Sequence, residues 1–196
     1  MNEISRIKLN KTYGPHALRV LQARLKLSRK GWYQIVIDLP TVEEFKAMLT
    51  AMYTTSVTSV IPDAISEFET LRDELQDWYD NLPEGFQNGD KGDQLQEAIS
   101  ALDNVANTLD VPEYLEPVRV FVAPSDETSR AHRGSQAAYA LRQAAERLEE
   151  LLEEGATLPE GLVLDDDKKD EIRQLAEDVT NAADEADGVE YPGMYS

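Results

Sequence analysis

The 196-residue chain contains no cysteine. That excludes disulfides, thiolate metal sites and cysteine nucleophiles, and it fits a reducing compartment without requiring one. Histidine is nearly as scarce. His16 and His132 stand in separate segments beside turn or loop residues, with no partner at a ligand or catalytic spacing, so both read as ordinary surface side chains. No apolar run approaches the roughly 18 residues of a membrane span. The opening MNEISRIKLNK lacks an apolar h-region, so no signal peptide is expected. The GxSxG, GxxxxGK[ST] and GxGxxG patterns are absent. Gly85, Gly89 and Gly92 follow a helical pattern rather than a strand, so they do not read as a phosphate cradle.

Bases are the other shortage: 19 Lys and Arg face 38 Asp and Glu, a net charge of −19. The split is uneven. Residues 1–46 hold nine bases and four acids, a net of +5, and residues 47–196 hold ten bases and 34 acids, a net of −24. A basic head is thus joined to an acidic body that repels nucleic acid and anionic membrane and attracts basic protein surfaces.

What the chain has in quantity is amphipathic helix. Ile61, Ala64, Phe68, Leu71, Leu75, Trp78 and Leu82 alternate steps of three and four, one helical stripe with Pro62 in its first turn. Pro83, Gly85, Gly89 and Gly92 break it. Leu95, Ala98, Ile99, Leu102, Val105, Ala106 and Leu109 form a second stripe, which predicts an antiparallel helical hairpin over 61–110. A second hairpin is expected from Ala138, Leu141, Ala145, Leu148 and Leu152, ended by Gly155, with Ile172, Leu175, Ala176, Val179, Ala182, Ala183 and Ala186 as its partner stripe. LPEG recurs at 82–85 and 158–161, followed in each case by Asp-Lys, which suggests a duplication against the plain alternative of shared turn chemistry.

Strand patterns lie mainly in the head. Residues 19–27 alternate apolar and polar, 28–31 read as a turn, and 32–39 are rich in aromatic and β-branched residues, giving a β-hairpin. Thr41-Val-Glu-Glu44 is a capping box opening a helix over that hairpin. Residues 54–60 read as a loop or short strand, and 118–122, fenced by prolines, as a short strand added to the N-terminal sheet. The fold class is therefore α+β and helix-rich: a small antiparallel sheet with a covering helix, plus two amphipathic helical hairpins. The domains are a basic subdomain at 1–60, an acidic body at 61–188 and a loose tail at 189–196.

No spacing here commits to catalysis, so the chain reads as non-enzymatic. The acids from Asp165 to Glu171 fail the EF-hand pattern, which needs glycine at its sixth position and glutamate at its twelfth, and better serve a helix N-terminus. Glu146-x-x-Glu149 and Glu150-x-x-Glu153 match half of the Mg²⁺-binding pattern of all-α nucleotide pyrophosphatases. The partner helix offers Glu171-x-x-Gln174 and Glu177-x-x-Thr180, which do not match, and Asp184-x-x-Asp187 only loosely. An Mg²⁺-dependent nucleotide hydrolase is thus a distant alternative, and no metal or cofactor is expected. Arg24, Lys26, Arg29 and Lys30 beside Trp32 and Tyr33 could contact nucleic acid, but the acidic body opposes that. Asp73, Glu74, Asp77 and Asp80 lie off the apolar stripe of the first helix and could imitate nucleic-acid phosphates in a basic cleft. Alternatively, Arg24, Arg29 and Lys30 on the head could dock on the acidic body of another copy, a heterologous contact that builds a ring or filament.

LRDELQDWYDNLPEGFQNGDKGDQLQEAISAL, residues 71–102, resembles helical segments of small acidic proteins encoded by bacteriophages. The resemblance implies a phage setting and no activity. The expected function is a cytoplasmic protein-interaction module occupying a partner's basic surface, in the manner of a DNA mimic. The structural alternative is a self-assembling or virion component.

Overall fold

The computed structural model describes residues 53–105, 109–122 and 128–193. The expected basic hairpin, its covering helix and the head residues Arg24, Arg29 and Lys30 lie outside the described residues. The chain divides into two compact units, residues 1–54 with 123–125 and residues 55–122 with 126–196. The described residues belong almost wholly to the second unit.

That unit is helix-rich α+β. Strand β1 (Thr54–Ser56) leads into α1 (Val57–Asp80). A single-turn helix α2 (Glu84–Gln87) precedes α3 (Asp90–Val105). A 3₁₀ turn (Glu113–Leu115) and strand β2 (Arg119–Phe121) follow. Helices α4 (Arg130–Glu150) and α5 (Asp166–Asp187) complete the unit. Strands β1 and β2 pair in a two-stranded antiparallel sheet.

Helix α1 touches both α3 and α4, and α5 also touches both. The four helices therefore pack as a bundle with α1 and α5 at opposite corners. Direction follows from the side chains. Arg130 meets Glu74 while Arg133 reaches back to Glu67, so α4 runs antiparallel to α1. The start of α3 lies against the end of α5, where Lys91 reaches Gly193. Helix α3 ends near Arg72, past the middle of α1, where Asp103 meets it, and α4 starts near Glu74. Between them the chain visits the start of α1, where Val118 O accepts from Val57 N and β2 pairs with β1.

The apolar stripes form the core. Ile61, Ala64, Phe68, Leu71 and Leu75 are buried as the spacing predicts, and all seven residues of the α5 stripe are buried. Leu95, Ala98, Leu102 and Val105 are buried on α3, whereas Ile99 packs at the edge. Alanine predominates among the buried residues of α4 and α5, at Ala137, Ala138, Ala144 and Ala145 and at Ala176, Ala182, Ala183 and Ala186. Small side chains let these two helices approach closely, and theirs is the most extensive helix contact of the unit.

Several local expectations change. Helix α1 starts at Val57, not Ile61, because Ser56 caps it: its Oγ accepts from Thr58 N at 3.2 Å and donates to Glu116 O at 2.8 Å. Val57 N also donates to Val118 O at 3.0 Å, so the helix start is anchored to the β2 segment. Pro62 consequently sits one turn further inside the helix than predicted, on the exposed side. The expected 118–122 strand is present as Arg119–Phe121 and pairs with Thr54–Ser56; the head strands it was expected to join lie outside the described residues. Gly92 does not break a helix but lies within α3, where a Cβ would come 1.9 Å from Gln87 O; only glycine lets α2 fold down on α3. The two LPEG segments differ. Gly85 is helical, whereas Gly161 has φ +85°, so their shared letters serve different turns. Of the tail expected to be loose, Val189 is buried and Tyr191 half-buried against the core, while Glu190 and Gly193 are exposed; residues 194–196 lie outside the described residues.

Trp78 is only half-buried, with Lys91 Nζ and Arg130 Cζ each 5.3 Å from its ring. Phe68 is fully buried. Chemical denaturation should show a loss of about 3–5 kcal/mol for Phe68→Ala but only about 1–2 kcal/mol for Trp78→Ala. Equal losses would contradict this placement of the two rings.

Candidate functional site

The outer face of α1 carries Asp63, Glu69, Asp73, Asp77 and Asp80, all exposed. The buried stripe fixes this face: with Phe68, Leu71 and Leu75 turned inward, positions 73, 77 and 80 must point out. Asp80 accepts from Gln76 Nε2 at 2.8 Å. Asp73 accepts from Arg72 Nη2 at 2.9 Å, and Arg72 Nη1 also reaches Asp103 of α3 at 3.2 Å. Hydrogen bonding to Asp73 raises the Arg72 guanidinium pKa further above its already high value. The groove between α1 and α3, about 500 Å³, is lined by Arg72, Tyr79, Ile99 and Asp103 among others.

Glu74 does not belong to this outer row. It turns toward α4, where Arg130 Nε lies 3.0 Å from Oε2 and Arg133 Nη1 lies 2.6 Å from Oε1. Arg133 Nε also donates to Glu67 at 2.5 Å. Burial alone would push the Glu74 carboxyl up, but the hydrogen bonds from Arg133 and Arg130 outweigh it, and its pKa falls below the ordinary range. Glu67 and Glu74 are seven residues apart, in line with Leu71 and Trp78 at the border of the apolar stripe. That spacing, opposite an Arg-x-x-Arg in the first turn of α4, was a readable sign of an inter-helix clamp.

The remaining bases of residues 47–196 are also engaged within the body, several of them in exposed pairs one helical turn apart. Arg119 pairs with Glu116, Arg147 with Glu150, Lys169 with Asp166 and Arg173 with Asp170. Arg142 bridges Asp184 and Asp187 of α5. Lys168 donates to Val163 O and lies 5.2 Å from the Tyr114 ring, while Lys91 donates to Gly193 O. All ten bases thus contact groups of the body itself.

The acids weighed for Mg²⁺ are dispersed among other roles. Glu146 accepts from Gln143 Nε2 at 3.0 Å, Glu150 takes Arg147, and Asp184 and Asp187 share Arg142. Among the described residues no group of three or more His, Asp or Glu side chains could hold a metal ion. Asp165 caps α5, its Oδ1 accepting from Lys168 N at 2.9 Å, with Asp166 and Asp167 in the first turn. These acids therefore stand at a helix N-terminus as expected. His132 lies in the first turn of α4, its backbone N donating to Ser129 Oγ at 3.3 Å; His16 lies outside the described residues. No helix among the described residues is long and apolar enough to cross a membrane.

The clamp makes a pH prediction. A carboxylate whose folded pKa is depressed stabilises the fold above its unfolded pKa, and that contribution is lost as pH falls through the folded value. Stability should therefore decline as pH drops below the ordinary glutamate value of 4.5. Glu74→Gln should be less stable at neutral pH and show a shallower acid decline, read from urea midpoints across pH 3–7.

Comparison of the chain with protein-family models, with curated proteins and with solved structures finds no match.

Proposed function

We propose that this is a non-catalytic interaction module whose acidic body occupies a basic surface of a protein partner, as a DNA mimic occupies a nucleic-acid cleft. On the resemblance of residues 71–102, we assign it a phage accessory role in the host cytoplasm. The observation that carries the reading is the engagement of every base in the body by the body's own groups. Residues 47–196 hold 34 acids against ten bases, and those ten contact the body's own carboxylates, carbonyls and rings. The excess negative charge is left to the surface, where Asp73, Asp77 and Asp80 form a regular row on one rigid helix. A row of carboxylates on a helix steers a basic partner at long range and fixes its register on contact.

The test uses two sets of charge reversals. Immobilised chain should capture a basic nucleic-acid-binding protein from bacterial lysate at low salt and release it near 1 M, where the Debye length is about 3 Å. The captured protein should bind nucleic acid more weakly while the chain is present. Reversing the exposed Asp73, Asp77 and Asp80 to Lys should abolish capture and leave the helical fold intact, because like charges across an interface cost several kcal/mol. Reversing Arg24, Arg29 and Lys30 to Glu should leave capture unchanged. An eluate holding only copies of the chain, lost on the head reversals, would replace this reading with self-assembly.

A further inference from the structure

The segment after α5 closes over the bundle. Val189 is buried, and the Tyr191 ring lies on Gly134 of α4, where a Cβ would come 2.2 Å from Tyr191 Oη and 2.6 Å from Cζ. Glycine inside a helix is disfavoured relative to alanine, so position 134 is shaped to receive this ring. The Tyr191 hydroxyl is buried without a hydrogen-bond partner. Burial first, and then Glu67, push its pKa up to about 12 against the opposing effect of Arg133.

The closure is held lightly. Lys91 Nζ donates to Gly193 O, but among the described residues no backbone hydrogen bond holds Glu190, Tyr191 or Pro192. A cleft of about 450 Å³ remains between the segment and α3, with Glu97 and Glu190 both in its lining. A stranded hydroxyl weakens the closed form, and Glu97 and Glu190 put like charges in the lining of the cleft. On the other side stand the buried Val189, the ring on Gly134 and the lysine tie.

We propose that residues 188–193 are a latch that opens as a unit while the four-helix core stays folded, drawing Tyr191 out of the slot at Gly134 and uncovering Ala98 and Ala101 of α3. Opening gives the hydroxyl to water and releases Gly193 from Lys91. Lys91 also faces the Trp78 ring, so the state of the latch is transmitted to α1 between Asp77 and Asp80. This inference is independent of the partner proposed above.

The absence of cysteine supplies a clean probe, because a single introduced thiol reports its own exposure. In the full chain, Val189→Cys should be labelled by a thiol reagent at least about tenfold faster than Ala138→Cys in the fully buried core, since local openings precede global ones. Adding Gly134→Ala should accelerate labelling of Val189→Cys about tenfold more and leave Ala138→Cys unchanged. In a Trp32→Phe background it should also shift Trp78 emission. If Gly134→Ala does not fold, Tyr191→Ala removes the plug and leaves α4 untouched, with the same result expected. Tyr191→Phe should slow labelling, because it keeps the ring and removes the stranded hydroxyl. Equal labelling of the two thiols, or faster labelling with Tyr191→Phe, would overturn the latch.

Discussion

Helix α1 has an apolar face too wide for one neighbour to cover, and the rest of the unit is arranged to meet that need. Val57, Val60, Ile61, Ala64, Ile65, Phe68, Leu71 and Leu75 are all buried along it. α3 covers one flank through a short hairpin, and α4 must cover the other. A helix arriving on the second flank antiparallel to α1 has to start near the end of α1, and α3 finishes level with Arg72, past its middle. Between the two, the described part of the connection drops to the start of α1, where β2 pairs with β1 and Ser56 donates to Glu116 O.

The same packing explains where the charges went. At the border between α1 and α4, Glu67 and Glu74 face Arg130 and Arg133. Between α4 and α5, Arg142 bridges Asp184 and Asp187. Pairs this exposed each contribute little, about 0–1 kcal/mol, so their greater effect is on the field. Three of the ten bases, Arg130, Arg133 and Arg142, lie in these seams, while Arg72 sits against Asp73 on the outer side of α1. The excess of 34 acids over ten bases still leaves the surface negative.

How much of this was legible depended on whether the signal was local. The helical stripes were, because burial of one face repeats every three or four residues; Ile172 through Ala186 could be read without error. The helix start at Val57 was not, because β-branched Thr and Val suggested extended chain and the deciding cap is shared with Glu116, sixty residues away. Gly92 read as a breaker and Gly134 gave no signal, since what they accommodate, Gln87 and Tyr191, is visible only in three dimensions. Of the acidic row, Asp73, Asp77 and Asp80 could be placed by periodicity alone. Glu74 groups with them in sequence, although its seven-residue step from Glu67 along the border of the stripe marks it as facing a neighbouring helix. Tyr191 was missed because a segment without periodicity gives no sign that its one ring has a slot.

The two ends of the bundle are closed by different means. At the end where α1 begins, backbone is bonded to backbone: Val57 N to Val118 O, beside the Ser56 hydroxyl on Glu116 O. Tyr114 adds a bond from its hydroxyl to Glu171 at 2.8 Å, with Lys168 over its ring. At the opposite end the closure is by side chains: Trp78 with Lys91 and Arg130, Tyr191 on Gly134, and Lys91 on Gly193 O. Backbone pairing is lost only when a whole segment moves, whereas side-chain contacts at a helix end can part singly. Stability is therefore graded along the bundle axis. The end held by side chains is the one that carries Asp77 and Asp80.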